Sequence, residues 1–417
     1  MEDRGSQIFT VVKLAISLTL LCFLLHTLYL LRSSLIHLKC DPYDHRCSVT
    51  LAGEDITDDV TTTTANVVQN DKRPKILIFS LPRSGSSFFG EMFNREDESF
   101  YLFEPLHASE ALTTLTPSSS KQAHDAAGNT QVVQRLNDLY KCDFREHEYL
   151  FRLISYPEFS NPHFRLMSKV LASPPFCDYV MNSNATEAEY RKHCRTVDTR
   201  TLMGICANKD MVVIKELMHR LPVYSPKDMS LLLQVENLKT IWLVRDPRAI
   251  IASMISMGWI TKTKTQTFEQ VFESTTNKVC QLYEQFLVTM SLMPERYRQM
   301  LNVLRYEDLV TRPRDVVLQI IQLTDGVIAE KSLEWIVRNT QEESTSYTTE
   351  QEDSYSVYGR NATYSMTSWR SKFNLQQIFL IQGHCRHFMD RLGYNHFWEN
   401  KTLTDLSIPS YRTVNRF

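Results

Sequence analysis

The strongest constraint on this chain is a set of short, near-continuous apolar runs: Lys75-Ile76-Leu77-Ile78-Phe79, Met211-Val212-Val213-Ile214-Lys215, Thr240-Ile241-Trp242-Leu243-Val244-Arg245 and Leu301-Asn302-Val303-Leu304-Arg305-Tyr306. Each is too short for a helix, and each reads as a strand buried on both faces. Helical patterns such as Phe268 to Met290 lie between them. Buried strands that alternate with helices predict an α/β fold, a central parallel sheet flanked by helices. In such sheets ligands bind beyond the carboxyl ends of the strands.

Two polar motifs follow those strand ends. The first run continues through Ser80-Leu81-Pro82-Arg83-Ser84-Gly85-Ser86-Ser87-Phe88-Phe89 into a predicted helix. A glycine turn with serines at a helix start aims backbone N–H groups, hydroxyls and the positive end of the helix dipole at one spot, which suits a phosphate or a sulfate. The nucleoside triphosphatase pattern G-x-x-x-x-G-K-[ST] is not met, because the first glycine and the lysine are missing. The third run ends in Arg245-Asp246-Pro247-Arg248, where Asp246 suits an N-cap and Pro247 the first helical position. Arg245 is then left at the strand end, with Ser253 about two turns along the helix, and a guanidinium and a hydroxyl so placed can share one phosphate. Alone, the first motif also fits an ordinary strand-turn-helix connection and the second a capped helix with a surface salt bridge. Two anion motifs at strand ends point to one site.

With 46 basic and 48 acidic residues there is no global positive field, so nucleic acid is not an expected partner. No C-x-x-C spacing or ligand cluster calls for a metal. From Leu14 to Leu31 the chain is almost wholly apolar between Lys13 and Arg32, about the length of an uncleaved membrane anchor. The expected division is a cytoplasmic tail 1–13, an anchor 14–31, a stem 32–72 rich in Asp and Thr in its later part, and a folded body from 73. Beyond Cys22 the cysteines Cys40, Cys47, Cys142, Cys177, Cys194, Cys206, Cys280 and Cys385 form an even set, and acceptor sequons stand at Asn184, Asn361 and Asn400. Both features suit disulfides and glycans in an oxidising lumen. The segments Thr113–Gly128 and Thr340–Asp353 are polar and read as loops.

The run Arg83-Ser84-Gly85-Ser86-Ser87-Phe88 together with Arg245-Asp246-Pro247-Arg248 to Ser253 resembles the 5′-phosphosulfate loop and the 3′-phosphate site of the Golgi carbohydrate sulfotransferases. The resemblance is closest to the family that sulfates the 6-hydroxyl of galactose, N-acetylgalactosamine or N-acetylglucosamine. It extends through Phe100 to Leu106, Leu139 to Asp143, Arg305 to Leu309, Trp369-Arg370 and Leu392 to Tyr394. It implies a P-loop-related sulfotransferase fold over 73–397 with a short tail 398–417, the donor 3′-phosphoadenosine 5′-phosphosulfate, a glycan or glycosaminoglycan acceptor of chondroitin or keratan type, and single-pass type II placement in the Golgi membrane. Carried over by residue, Arg83 to Phe89 would hold the 5′-phosphosulfate, and Arg245, Asp246, Pro247, Arg248 and Ser253 the 3′-phosphate. Leu106-His107 and Leu217-Met218 depart from the family pattern on the side expected to meet the acceptor.

Sulfuryl transfer to a sugar hydroxyl needs a carboxylate to take its proton, and Glu104 at the end of an apolar run is the candidate, with partial burial expected to raise its pKa. Lys215 is expected to stabilise the leaving phosphate or to bind an acidic sugar chain. A catalytically weak luminal glycan-binding protein on the same fold is the alternative. A luminal nucleotidase or kinase would require the missing loop lysine. The acceptor, the disulfide pairing and the oligomeric state, a homo-oligomer included, stay open.

Overall fold

A computed structural model describes residues 37–40, 47–50, 72–108, 121–155, 161–182, 184–328, 330–341 and 362–412. The expected anchor 14–31, most of the expected stem and the sequon residue Asn361 lie outside the described residues. Among the described residues no helix is long and apolar enough to cross a membrane. The chain divides into two units, Met1–Gln69 and Asn70–Phe417. In the first, His37–Cys40 and Cys47–Thr50 pair antiparallel with Cys40 opposite Cys47, so the early part of the expected stem contains a strand pair.

The second unit is built on five parallel strands, β1 (Lys75–Ser80), β2 (Ser99–Phe103), β3 (Met211–Leu217), β4 (Leu238–Val244) and β5 (Leu301–Arg305), in the order β2-β3-β1-β4-β5. The chain runs from central β1 out to β2 on one side and later through β4 to β5 on the other. The strand order therefore reverses beside β1, which opens a crevice at its carboxyl end. Register aligns that edge: Ser80 lies opposite Leu217, Phe103 opposite Lys215 and Val244 opposite Arg305.

The near-continuous apolar character of the strands has the expected cause, since both faces are covered. Leu77 and Phe79 of β1 join a core with Trp242 and with the helices α2 (Lys121–Tyr140), α3 (Pro247–Ser256), α4 (Phe268–Leu292) and α8 (Leu375–His384). Ile76 and Ile78 face the other way, onto α1 (Ser86–Asn94), α5 (Tyr306–Thr311), α6 (Pro313–Leu323) and α7 (Glu330–Gln341). As expected, Asp246 caps α3 with Pro247 in its first turn, its carboxylate accepting from the Arg248 N–H. A Thr267–Gln270 capping box starts α4.

Two expectations are corrected. Residues 121–128, read as part of a polar loop, open α2, because Lys121-Gln122-Ala123 and Ala126-Ala127 favour helix and one glycine is tolerated within it. Residues 398–412, read as a tail, are fastened to the body: Asn395 N–H donates to the Ser410 carbonyl, and Arg305 donates to the carbonyls of Leu392 and Arg412. Arg370 is buried against the Phe397 ring and donates to the carbonyls of Thr402, Leu403, Asp405 and Ile408 at 2.7–2.9 Å. Disulfides join Cys142 to Cys206, Cys177 to Cys194 and Cys280 to Cys385. The last ties α4 to the end of α8 and closes the longest of these loops, where loop-closure entropy makes a cross-link most effective.

Arg370→Ala removes the donor that these four carbonyls share. It is expected to lower the unfolding free energy by about 3 kcal/mol, read as a lower urea midpoint at constant slope, and to open residues 402–408 to limited proteolysis. A parent-like midpoint and cleavage pattern would show that other contacts hold the segment.

Candidate active site

The loop between β1 and α1 turns on two residues with positive φ, Arg83 at 67° and Gly85 at 89°. At Gly85 a side chain is excluded twice over. The conformation disfavours a Cβ, and one placed there would sit 2.4 Å from Cδ2 of Tyr306. The first N–H bonded back into the α1 turn is that of Phe89, to the Gly85 carbonyl at 3.0 Å. The preceding amides of Ser86, Ser87 and Phe88 have no intrahelical acceptor and carry the positive end of the helix dipole. Ser84 and Ser86 are buried in the loop.

Of the residues expected to hold the donor, the structure brings Arg83, Arg245 and Ser253 together. Arg83 Nε donates to Ser253 Oγ at 3.0 Å, and Arg245 Nη1 donates to the Arg83 carbonyl at 2.9 Å. The second amine of Arg245 donates to the Ser365 carbonyl, and its guanidinium lies 4.6 Å above the Tyr306 ring. Arg245 Nε is buried and finds no acceptor among the described residues.

Others of that set do not face the crevice. Arg248 is fully buried; it chelates Asp246, donates to Gln382 Oε1 and the Asn395 carbonyl, and lies 4.1 Å over the Trp369 ring. Asp246 is committed to that pair and to the cap, so both residues, with Pro247, shape the start of α3 rather than contact a ligand. Phe89 is corrected likewise: its ring is in the core edge-on to Phe93 and its amide is spent within the helix. The Phe88 ring packs against Trp335, which leaves only its amide for the loop. Behind Arg245 stands Glu307, which accepts from the Asp246 N–H at 2.9 Å and the Tyr394 hydroxyl at 3.0 Å. Burial, and then the nearby Asp246 charge, push its carboxyl up to about 7.

On the β2–β3 side of the same edge, Glu104 and Lys215 form one buried ion pair. Arg220, on the short turn Met218–Arg220 after β3, binds the other Glu104 oxygen at 2.5 Å and reaches His107 Nδ1 at 3.3 Å. His107 in turn stacks on Phe164 with ring centroids 3.7 Å apart. The expected rise in the Glu104 pKa is overturned. Burial acts in that direction, but the charges and hydrogen bonds of Lys215 and Arg220 outweigh it and hold the carboxyl at about 2. The carboxyl that burial does raise is its neighbour Glu216, pushed up to about 7; it accepts from the Leu106 N–H at 2.6 Å and faces Arg220 at 3.4 Å. Neither Glu216 nor Arg220 is singled out by the sequence reading, and their one local signal is the i, i+4 spacing across the end of β3. Elsewhere, a cavity of about 540 Å³ lined by Asn94, Arg95, Lys169, Trp335 and Arg338 lies at the opposite end of α1 from the anion loop. The sequon residues Asn184 and Asn400 are exposed.

An anion loop and an arginine–serine pair at the switch point of a parallel sheet accord with the family comparison, in which the sulfotransferase domain matches residues 73–393. The chain belongs to the sulfotransferase family and is an enzyme of that class. Within it the chain is similar to carbohydrate sulfotransferase 1 of Danio rerio, 28% identical over 360 residues that cover 81% of this chain and 82% of the relative. Carbohydrate sulfotransferase 3 of Mus musculus is 26% identical over 363 residues, covering 81% of this chain and 71% of the relative. Among solved structures, the sulfotransferase domain from the curacin biosynthetic pathway is 15% identical, covers 78% of this chain and 99% of its own, and aligns with a TM-score of 0.42.

Gly85→Ala forces the loop away from Tyr306 while leaving the core strands untouched. Affinity for the sulfuryl donor is expected to fall at least tenfold, measured by calorimetry, with little change in circular dichroism. Parent-like affinity would show that the amides of this loop do not grip the donor.

Proposed function

We propose that the enzyme transfers a sulfuryl group from 3′-phosphoadenosine 5′-phosphosulfate to the 6-hydroxyl of a galactose, N-acetylgalactosamine or N-acetylglucosamine residue in a glycan of chondroitin or keratan type. The observation that carries this reading is that Arg83, in the loop that opens α1, is bonded to both Ser253 and Arg245. Amides and hydroxyls of the loop suit the phosphosulfate end of such a donor, and the Arg245–Ser253 side suits its second phosphate. The names of the relatives support a carbohydrate acceptor. Placement as a type II protein of the Golgi membrane is supported by the apolar segment 14–31, the disulfides and the exposed sequons.

In this reading the Glu104 cluster prepares the acceptor hydroxyl. While Lys215 and Arg220 both hold it, Glu104 at about 2 is too weak a base for work near neutrality. An anion in the crevice that attracts Lys215 removes one of the two cations holding the carboxyl down, and the basicity of Glu104 rises. Lys215 and Arg220 bring two cations to the Glu104 edge, which suits an acidic chain.

Transfer of radiolabelled sulfate from the donor to a panel of chondroitin, keratan and N-acetylglucosamine-terminated acceptors tests the assignment. Label on a 6-hydroxyl is expected, and label on another hydroxyl, or on none, would overturn it.

Glu104→Gln is expected to lower kcat by roughly 10²-fold while donor affinity persists. In the parent, kcat should fall with pH through a carboxyl pKa well above 2, whereas kcat/KM for donor, which reports the free enzyme, should show no such limb down to about pH 4. A variant that turns over within a few-fold of the parent would assign the proton to another group, with His107 next.

A further inference from the structure

Most large apolar side chains of this protein are buried, yet Trp398 is 63% exposed beside Phe379, itself 41% exposed. The two rings lie 5.7 Å apart, and the His396 ring stacks on Trp398 at 5.7 Å with 13° between planes. This aromatic group is rigidly mounted. Phe397 before it is buried, with its N–H held by Gln382 at 2.8 Å, and Leu403 beyond it is buried as well. Trp398-Glu399-Asn400-Lys401-Thr402 places an exposed acceptor sequon two residues after the tryptophan. Glu399 between them is extended, at φ −137° and ψ 146°. Asn400 then opens the short helix Asn400–Thr404, which keeps the exposed sequon within two residues of the exposed indole.

We propose that Asn400 carries an asparagine-linked glycan whose first N-acetylglucosamine lies over Trp398 and Phe379, so that the aromatic patch is this chain's own glycan-binding platform. The proposal rests on the luminal placement given above. A pyranose has an apolar C–H face and a polar rim; it covers an exposed indole while keeping its hydroxyls in water, a division of surface that an aromatic side chain with one wet edge favours. Attachment forms a bond from Asn400 Nδ2 to the anomeric carbon of the sugar; the amide loses a proton and a lipid-linked diphosphate of the secretory pathway leaves. Since the indole is already fixed by its neighbours, docking the sugar orders few protein groups, and the stabilisation is kept rather than spent on ordering.

The test uses the full chain made in secretory cells, its glycans trimmed to one sugar, beside Asn400→Gln, Trp398→Ala and the double variant. Peptide mass analysis is expected to find the sugar on Asn400. Each single variant should lower the thermal midpoint at fixed scan rate by about 2 °C, and the double variant should lose no more than one of them. Acrylamide quenching of tryptophan emission should increase in Asn400→Gln and not in Asn184→Gln. Additive losses, unchanged quenching, or a bare Asn400 on a chain glycosylated at Asn184 would overturn the proposal. Self-association of the parent that Trp398→Ala abolishes would do so too, by giving the patch to a second copy. Absence of glycan at all three sequons would take the luminal placement down with it.

Discussion

The site depends on one guanidinium. Arg245 leaves the end of β4, reaches back to the Arg83 carbonyl in the loop after β1, and rests on Tyr306 at the end of β5. Three strand ends are thereby fixed by one side chain, and the loop keeps a left-handed turn at Arg83 that it would not hold unaided. The Nε of the same residue is buried without an acceptor among the described residues. The proposed reading would make structural clamp and ligand contact one group at Arg245.

The edge is also organised by sign of charge. Buried carboxylates at Asp246 and Glu307 sit behind the arginines and hold the start of α3 in place, while the crevice side presents amides and cations. The cations beside Glu104 set the basicity of that carboxylate, so whatever engages Lys215 or Arg220 also changes its pKa.

How far the sequence discloses all this follows the range of the interactions. The strands are legible because burial on both faces makes them near-continuous apolar runs, and Asp246-Pro247 marks the start of α3 through contacts within two residues. Gly85 is legible as a turn residue, although its collision with Tyr306 is not. What sequence reasoning misplaces depends on distant partners. Arg248 is claimed by Gln382 and Asn395, the segment 398–412 by Arg370 and Arg305, and the Glu104 pKa by Lys215 and Arg220, more than 100 residues away. No local pattern encodes those pairings, and each reverses what the residue type alone suggests.

The buried carboxyls leave a thermodynamic mark of their own. Glu216 and Glu307 titrate near 7 in the folded chain against 4.5 for the free side chain, so folding takes up protons between those values. Their contribution to stability is complete below about 4.5 and is lost as pH rises through 7. Glu104 behaves oppositely: its contribution is complete above 4.5 and is lost as pH falls toward 2. These three groups together make the fold firmest in mildly acidic solution, so proton uptake tightens the scaffold around its anion site.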